Sequence, residues 1–483
     1  MKPIDKLSDP SGNAPKRRVL LISHDIIGKA MAGPGIRNYN LARVLSRETD
    51  LILAAVHQDG VDIHVDPSTL HLQKIITYRH GHWSDLHEAV QWAEVIICSS
   101  DGPHEFRELC NVDAAIVIDG YDPLLPEYLA IHSHLPMAEQ LHYGRERIKH
   151  LHYQYIAGDF FICASERQRN WWLGQLQVAG RINPQTFGAD TTLRSLVDVV
   201  PFGLPETPPQ HKKQMIKNVW PGISADDKLL LWGGGLWAWL DSISAIRAVA
   251  KIKETRADVK LIFPGTKHPN PALDGMQTQN QLAFDTAKEL GVLDTHVFFG
   301  DWVAREDWPS LLLECDVALS LHYDSVETEL AFRSRVIDYI WAGLPMVATT
   351  GDATSELIEQ HDLGIVVEYE DVDAVAAAIV QLLDEPAAFR QPQLEAACEE
   401  LTWERAAQPL LSFCQNPHHA PDRELIRVNH PYYQEIEQAG LHELTHRHQQ
   451  EMQHLHTLVH GYENGRFISF MRSVKQFRDR LIK

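Results

Sequence analysis

The chain has 483 residues, of which 44% are hydrophobic and 23% are charged, as is ordinary for soluble globular proteins. Acidic residues outnumber Lys and Arg by 65 to 44, which gives a formal net charge of −21. Because a general nucleic-acid binder needs a basic face, this balance excludes that class, although a local basic pocket for a small anion stays possible. The length predicts two domains with an extension.

Cysteine usage and hydropathy indicate a cytoplasmic protein. The six cysteines include no CxxC pair, and Cys98 and Cys163 lie in apolar runs, which favours a reducing compartment without a disulfide framework. The polar start of the chain lacks the apolar core of a signal peptide. No apolar run approaches the roughly 18 residues needed to span a bilayer.

The first predicted domain follows a flexible tail. Residues 1–17 are rich in Pro, Ser, Gly and charge, as is typical of loose termini. From Arg18 onward, short apolar runs end in polar or glycine loops and are followed by helix-like segments. This alternation predicts an α/β, Rossmann-like domain over residues 18–200, with a parallel sheet covered on both faces. The apolar runs are residues 18–23, 51–56, 95–98, 114–118 and 159–163.

A second domain of the same kind follows a linker. Four prolines and one glycine lie between Pro201 and Pro209, which indicates an interdomain connection. The alternation then restarts and predicts a second doubly wound domain over residues 201–415. Such domains bind ligands at the carboxyl ends of their strands, so we expect a site in the cleft where the two domains face each other. The second set of runs is residues 228–232, 259–264, 296–299, 317–321, 345–349 and 364–367.

Residues 416–483 predict a polar, His-rich helical extension. Its last stretch, residues 466–483, combines apolar residues with six bases and the single acid Asp479, a pattern typical of a basic amphipathic helix. Such a helix lies on an anionic membrane face, docks on the protein or a partner, or simply covers a surface. The pattern leaves these three alternatives open.

The extension also contains a sequence that matches a zinc-protease motif. His442-Glu443-Leu444-Thr445-His446 has the form HExxH, which would place two histidines on one helix face. Six histidines lie between His442 and His460, so a chance match is easy. Too little chain remains to build a catalytic cleft, and we predict no metal site.

Glycine loops follow the first strand of each predicted domain. In the first, a glycine turn at a helix start presents backbone N–H groups that suit an anion, with a tight turn that binds nothing as the alternative. In the second, three successive glycines let a diphosphate approach the backbone, with a packing turn as the alternative. Neither loop is a GxGxxG fingerprint or a P-loop. The candidate anion-binding residues are Gly33, Gly35, Arg37, Gly234, Gly235 and the loop lysine Lys267.

The segment 325–349 predicts a loop, a helix, a glycine turn and a strand. Glu329 near the helix start suits sugar hydroxyls, Arg333 and Arg335 suit a diphosphate, and Asp338 suits a ribose. The alternative is salt bridging on the helix surface, because Glu329 and Arg333, and likewise Arg335 and Asp338, are correctly spaced for it.

The end of this segment resembles the donor-binding signature of the family 4 (group 1) glycosyltransferases, which have the GT-B fold. That signature has an acidic residue, seven residues, and a second acidic residue opening the run E-A-M-A-x-G-x-P-V-V-A. Here Asp338 takes the second acidic position, in Asp338-Tyr339-Ile340-Trp341-Ala342-Gly343-Leu344-Pro345-Met346-Val347-Ala348. The resemblance covers about residues 18–383 and includes Gly33-Pro34-Gly35-Ile36-Arg37, Ala164-Ser165-Glu166 and Val200-Pro201-Phe202-Gly203.

The resemblance implies a retaining, metal-independent hexosyltransferase without a cofactor. A nucleoside-diphosphate sugar would bind the second domain, and a glycan or lipid-linked acceptor would bind the first. Part of the segment looks like a sub-branch that assembles polysaccharides, so cell-surface polysaccharide or glycoconjugate assembly is expected. Residues 466–483 would then provide a peripheral contact with the inner face of the plasma membrane.

The sequence departs from the family pattern at three places. The first acidic position falls on Leu330, with Glu329 adjacent, and the basic pair after the second glycine loop is missing, so Arg333, Arg335 and Lys267 become its replacements. The loop histidine of the first domain has no clear match. Asp119 ends a strand near that place and is a candidate to orient or deprotonate the acceptor, with a turn-initiating Asp as the alternative. Asp119 and Glu329 are therefore the predicted catalytic residues.

Two other function classes stay open. One is another GT-B enzyme, such as a sugar-nucleotide epimerase or a phosphorylase. The other is a non-catalytic relative that binds a sugar nucleotide or glycan, a reading favoured by the missing basic pair.

Overall fold

Two parallel sheets organise the part of the chain that the computed structural model describes. That part comprises residues 16–58, 70–270, 279–385, 397–398 and 400–429, with residues 63, 273 and 452. The described residues up to Ile426 belong to one compact unit, and Arg427–Asn429 and Met452 belong to a second.

The first sheet has seven strands in the order β3-β2-β1-β4-β5-β6-β7, with every neighbouring pair parallel. Its inner strands consist mainly of buried apolar residues, as the uniform runs predicted, with polar residues at their ends. The order reverses between β1 and β4, which is where a doubly wound domain binds ligands. The strands are β1 (Arg18–Ser23), β2 (Asp50–Val56), β3 (Lys74–Tyr78), β4 (Val95–Ser99), β5 (Ala115–Asp119), β6 (Phe160–Cys163) and β7 (Val197–Val199).

Helices surround this first sheet. The helix α1 begins with Gly33 and Pro34, where the missing N–H of proline costs no helical hydrogen bond. In α6, Ser165 caps the first turn by accepting a hydrogen bond from the N–H of Gln168. The helices are α1 (Gly33–Glu48), α2 (His87–Trp92), α3 (Gly102–Glu105), α4 (Leu124–Ile131), α5 (Met137–Ala157), α6 (Glu166–Val178) and α7 (Pro184–Ala189), with short 3-10 turns at Trp83–Asp85 and Arg107–Asn111.

The second sheet has six strands in the order β10-β9-β8-β11-β12-β13, again all parallel. The order reverses between β8 and β11, so the loops after these two strands lie side by side. A backbone bridge between Leu240 and His322 joins the two loops. The strands are β8 (Lys228–Leu231), β9 (Val259–Pro264), β10 (Val297–Gly300), β11 (Val317–Ser320), β12 (Met346–Thr349) and β13 (Gly364–Val367).

The helices of the second domain have clear sequence signals at their ends. Gly343 ends α12 in the left-handed conformation, with φ of 68°, and Asp241, Asp352 and Asp371 cap the starts of α8, α13 and α14. The helices are α8 (Ser242–Ile252), α9 (Gln279–Glu289), α10 (Trp308–Glu314), α11 (Val326–Leu330), α12 (Ser334–Ala342), α13 (Ala353–Gln360) and α14 (Val372–Asp384).

The connection between the domains is a close crossing of two chain segments. Leu204 donates its N–H to the carbonyl of Leu401 at 2.7 Å, and Trp403 donates its N–H to the carbonyl of Leu204 at 3.2 Å. Gly203 lies so close to Trp403 that a Cβ there would stand 2.5 Å from its backbone atoms. Only glycine lets the two segments pass at this distance.

The chain then returns to the first domain through α15 (Trp403–Ala406), α16 (Gln408–Gln415) and α17 (Arg423–Asn429). Phe413 stacks on Phe160 of β6, with ring centroids 4.8 Å apart. Asp422 accepts two 2.9 Å hydrogen bonds from Arg181, and both side chains are buried. Part of the predicted extension after residue 416 therefore packs into the first domain, because these buried charges are satisfied only there.

Candidate functional site

The glycine loop after β8 approaches α12 closely. The N–H of Gly233 donates to the Tyr339 hydroxyl at 2.7 Å, and a Cβ at Gly233 would lie 2.8 Å from that oxygen. Gly234 has φ of 94°, a conformation that favours glycine, and a Cβ there would lie 3.6 Å from Nη2 of Arg335. The loop that contains Gly233, Gly234 and Gly235 therefore lies beside the start of α12.

Arg335 is a cation without an acidic partner at this loop. Its guanidinium carbon lies 5.4 Å from the centre of the Trp232 ring, and Nη1 is buried with no hydrogen-bond partner among the described residues. Burial lowers the pKa of Arg335 to about 10, and the positive charge of Arg333 acts in the same direction. A buried donor without a partner is costly, so this position favours an anionic ligand.

The glycine turn of the first domain faces the same helix start. A Cβ at Gly33 would lie 3.6 Å from the hydroxyl oxygen of Ser334, the first residue of α12. The N-cap residue of α12, Arg333, makes no side-chain capping bond, and its carbonyl accepts the N–H of Val336 at 2.9 Å. The N–H groups of Ser334 and Arg335 have no acceptor among the described residues, so they are available to a ligand. Gly35 has a different role, because its Cβ would meet the carbonyl oxygen of Ile26 at 2.3 Å and it serves close packing.

Arg333 is paired within the second domain. It donates to both carboxylate oxygens of Glu327 at 2.8 Å, and its Nε lies 3.4 Å from Asp352. The charges of Glu327 and Asp352 hold the pKa of Arg333 above its ordinary value despite burial. The structure therefore gives the two arginines different surroundings, because Arg333 has two acidic partners and Arg335 has no ion pair within the described residues.

The acidic residues of α11 point in different directions. Glu329, the predicted catalytic acid, is exposed, whereas Glu327 is buried and bound to Arg333. The helix begins after Ser325, whose hydroxyl accepts a hydrogen bond from the N–H of Thr328. This cap fixes which residue of the short helix faces inward, and the sequence pattern did not locate it.

Asp338 lies one turn along α12, against the first residue of α10. It accepts a 3.0 Å hydrogen bond from Nε1 of Trp308. Burial raises the pKa of Asp338 to about 6, and the positive charge of Arg305 opposes this shift. Lys267, the remaining predicted phosphate partner, is exposed on the loop after β9.

Arg37 and Asp119 form a buried ion pair with each other. Arg37 donates from Nε and Nη2 to the two carboxylate oxygens at 2.7 and 2.9 Å, and its exposed fraction is 0%. The guanidinium also lies over the rings of Tyr121 and Phe202, at 4.7 and 5.2 Å. Both groups were expected to face ligands, but the structure places each against the other, because α1 and the end of β5 bring them together.

Two acids that follow β5 were not among the predicted site residues. Asp122 and Glu127 are partly buried, and burial and the negative charge of Glu327 in the second domain raise the pKa of both. Burial raises the pKa of Asp122 to about 7, and it raises the pKa of Glu127 well above its ordinary range, with neighbouring negative charges adding to both shifts. Asp122 follows the end of β5 by three residues, a position that was treated as a signal for Asp119 alone, whereas Glu127 lies on α4 and had no such signal.

Gln168 connects this acidic loop to the second domain. Its Nε2 group donates to the carbonyl oxygen of Tyr121 at 2.6 Å and to that of Leu330 at 2.7 Å. Its Oε1 accepts from the N–H of Ala164 at 2.6 Å, so all three contacts hold a side chain that is only 1% exposed. The loop that carries Asp122 and the end of α11 are therefore joined through the side chain of Gln168.

The described residues contain no group of three His, Cys, Asp or Glu side chains that could hold a metal ion. The HExxH match at residues 442–446 and the basic stretch 466–483 lie outside the described residues. None of the helices in the described ranges has the combined length and apolar character of a bilayer-spanning helix.

Comparisons with known proteins point to one family. Residues 227–385 match the model described as glycosyl transferases group 1. A chitobiosyldiphosphodolichol beta-mannosyltransferase from Debaryomyces hansenii is 27% identical over 109 residues, which is 22% of this chain and 22% of that protein. The chain thus aligns with about a fifth of the length of this curated relative.

Solved structures share the fold over both domains. Sucrose-phosphate synthase from Thermosynechococcus elongatus is similar with a TM-score of 0.57 and 14% identity, over 83% of this chain and 99% of that one. The Anabaena protein HepE, solved with UDP and glucose, is similar with a TM-score of 0.52 and 13% identity, over 82% and 99% of the two chains. At these identities the likeness shows the fold, and the predicted two-domain GT-B architecture is confirmed.

Proposed function

We propose that this protein transfers a sugar from a nucleoside-diphosphate sugar to a glycan or lipid-linked acceptor, because residues 227–385 match the model of the group 1 glycosyltransferases and the chain has the GT-B fold. The observation that carries the proposal is the partnerless Arg335 beside Gly234. Charge-assisted hydrogen bonds to phosphate are the natural use of such a group.

The donor diphosphate binds between the glycine loop and the start of α12. Arg335 and the free N–H groups of this helix stabilise the negative charge that develops as the diphosphate leaves. No metal ion is needed in this scheme, since a guanidinium and a helix dipole supply the positive charge. Asp338, in the second acidic position of the family signature, binds the ribose.

The acceptor binds on the side of the first domain. Asp122 and Glu127 face the second domain, and we assign to Asp122 the contact with the acceptor hydroxyl that was predicted for Asp119. The ion pair between Asp119 and Arg37 positions the loop after β5, because the Arg37 guanidinium also packs on the ring of Tyr121 in that loop.

The reaction retains the configuration of the anomeric carbon, as in the family 4 glycosyltransferases that the sequence resembles. The bond between the anomeric carbon and the diphosphate oxygen breaks, and the acceptor oxygen bonds to the same face of that carbon. The acceptor proton passes to a phosphate oxygen of the leaving group, and Asp122 orients the hydroxyl while it does so. The scheme fits a role in polysaccharide or glycoconjugate assembly in the cytoplasm, with residues 466–483 as a membrane contact.

The first test is thermal stabilisation by UDP, GDP, TDP, ADP and CMP, each with and without EDTA. A shift with one nucleoside diphosphate that survives EDTA supports the proposal and identifies the donor base. The matching nucleotide sugar is then supplied with a glycan acceptor, and NMR of the product reports whether the anomeric configuration is kept.

The contrary outcomes are distinct. No shift with any nucleotide would contradict the donor site at Arg335. A shift that is followed by neither transfer nor donor hydrolysis would instead support a non-catalytic sugar-nucleotide-binding protein. A product of inverted configuration would contradict the retaining course alone.

A further inference from the structure

Helix α5 carries an apolar stripe that faces solvent. Met137, Leu141 and Ile148 are 66%, 52% and 44% exposed, and they recur at spacings of four and seven residues. At about 100° per residue these side chains lie within roughly 40° of one another around the helix. Leu129 of α4, 46% exposed, continues the stripe, because one of its methyl carbons would lie 3.5 Å from a Cβ at Gly144.

The charges of α5 are sorted around this stripe. His142, Arg145 and Lys149 lie along one edge of it, between about 80° and 140° from Met137. The two acids, Glu139 and Glu146, lie on the opposite side, about 180–200° away. Lys149 contacts Glu146 at 2.7 Å, and Arg145 is exposed. An apolar stripe with a basic edge is the pattern of a helix that lies in a membrane interface.

The stripe is adjacent to the acceptor side of the cleft. It starts on α4, the helix that also carries Glu127, and Glu127 feels the charges of Glu327 and Arg333 in the second domain. Arg147, on the buried edge of α5, fixes the helix by donating to both oxygens of Asp101 at 2.8 and 2.9 Å. The surface is therefore rigidly held beside the place where an acceptor would enter.

We propose that the α4–α5 stripe, formed by Leu129, Met137, Leu141 and Ile148 with Arg145 and Lys149, docks on an anionic lipid surface. The chain has a net charge of −21, so anionic lipid repels most of its surface. Only a surface that carries basic residues, such as this stripe, can approach the lipid. The same net charge opposes self-association of the chain. The exposed area of four side chains is also smaller than the about 800 Å² that each partner buries in a stable dimer. This inference adds to the proposed function by presenting a lipid-linked acceptor to the cleft, but it does not depend on catalysis.

The test is vesicle flotation of the full chain. The vesicles contain phosphatidylcholine alone or equal parts of phosphatidylcholine and phosphatidylglycerol. The double variant Leu141→Gln, Ile148→Gln removes the apolar contacts without adding charge to the helix. Its matched control is Val178→Gln, Leu282→Gln, which removes two exposed apolar side chains from α6 and α9.

We expect the native chain to float only with phosphatidylglycerol, the stripe variant to bind at least about tenfold more weakly, and the control to bind like the native chain. Equal binding by the stripe variant and the native chain would overturn the proposal and assign any binding to another segment, such as residues 466–483. Loss of self-association in the stripe variant, measured by light scattering without vesicles, would also overturn it in favour of a second copy. Nucleotide-induced stabilisation of the same variants reports separately on the donor site.

Discussion

Two arginines that stand two positions apart have opposite surroundings. Arg333 forms ion pairs with Glu327 and Asp352, whereas Arg335 forms none with the residues that the structure describes, and its Nη1 is buried without a hydrogen-bond partner among them. The first contributes to the folded core, since a buried ion pair that loses one member costs several kcal/mol. The second is available to a ligand, and only its substitution should affect binding more than stability.

We predict that Arg335→Ala weakens nucleoside-diphosphate binding by about 10- to 100-fold, because one to two charge-assisted hydrogen bonds are lost. Isothermal titration calorimetry measures the change. Removal of an unpaired buried cation should leave the melting temperature of the free protein equal or higher. Lys267→Ala is the matched control, and an equal loss of affinity in that variant would move the phosphate contact to the loop after β9.

We predict that the transfer rate depends on the ionisation of Asp122. Its pKa is raised to about 7, so the carboxylate that accepts the acceptor hydroxyl is lost as pH falls through that value. The ratio kcat/KM should therefore fall about tenfold per pH unit below this point. Burial is the main cause of the raised pKa, and the groups that modify it are Tyr121, Asp119, Arg37 and Glu327.

The variant Asp122→Asn should have a lower transfer rate, and its kcat/KM should no longer fall as pH decreases below about 7 (the acid limb of the pH profile). Glu329→Gln is the comparison, because Glu329 was the catalytic acid that the sequence suggested. Loss of the acid limb in Glu329→Gln and its retention in Asp122→Asn would return the role to Glu329.

The side chains of the site were only partly predictable from the sequence. The positions of Gly234, Arg335 and Asp338 followed from strand–loop–helix order, and the structure brings the first two together. The choice between Glu327 and Glu329 depended on the residue where α11 begins, and one residue of displacement turns a helix by about 100°. The pairing of Arg37 with Asp119 depended on a contact between residues 82 positions apart.

At the scale of elements, the site is made by two loops and one helix at the reversal of the second sheet. The loop after β8 is held against the loop after β11, where the N–H of Tyr323 donates to the carbonyl of Trp239 at 3.1 Å. The N–H of Asp241 also donates to the carbonyl of Leu321 at 3.0 Å. Both loops are thus fixed before any ligand arrives, which reduces the entropy lost on binding.

We predict that Gly234→Ala disturbs this arrangement. An alanine at φ of 94° is strained, and we expect a loss of about 1–2 kcal/mol in unfolding free energy, with weaker nucleotide binding. Gly174→Ala in α6 is the control, since a Cβ there meets no atom within 4 Å and the residue lies inside a helix. Chemical denaturation should show a gain of about 0.5–1 kcal/mol for this control. Equal effects of both variants would argue against the strain at Gly234.

The elements themselves were more predictable than the residues. Uniform apolar runs located the inner strands, because strands of a parallel sheet are buried on both faces and leave little choice of residue type. The edge strand β3 (Lys74–Tyr78) was not predicted, since most of its side chains are exposed and its sequence lacks such a run. The return of the chain onto the first domain was also not predicted, because it depends on contacts between distant residues, such as Phe413 with Phe160 and Asp422 with Arg181.

At the scale of the whole molecule, the described segment after α16 secures the first domain. Asp422 is 0% exposed and receives two hydrogen bonds from Arg181, and Asp159 contacts Arg423. Asn183 donates a further 2.8 Å hydrogen bond to Asp422. The end of the described unit therefore belongs to the fold of the domain that begins the chain.

We predict that Asp422→Ala lowers the unfolding free energy by about 3–5 kcal/mol, because Arg181 is left buried without its partner. Urea denaturation measures the loss. Glu166→Ala, which removes the exposed partner of Arg194, is the matched control and should change stability by less than about 1 kcal/mol. Similar values for the two variants would show that residues 420–423 contribute little to the domain.

The crossing of Leu204 with residues 401–403 also determines how the two domains can move. Two adjacent segments that connect the same two domains act as a hinge. They permit rotation about the line through them and resist both sliding and twisting. Any opening of the cleft must therefore be a swing about the Gly203–Trp403 contact. Away from this contact, the opening has to break the bond from Gln168 to the carbonyl of Leu330. It also has to break the bond from Arg167 to the carbonyl of Gly351 and the bond from the N–H of Arg305 to the carbonyl of Lys29.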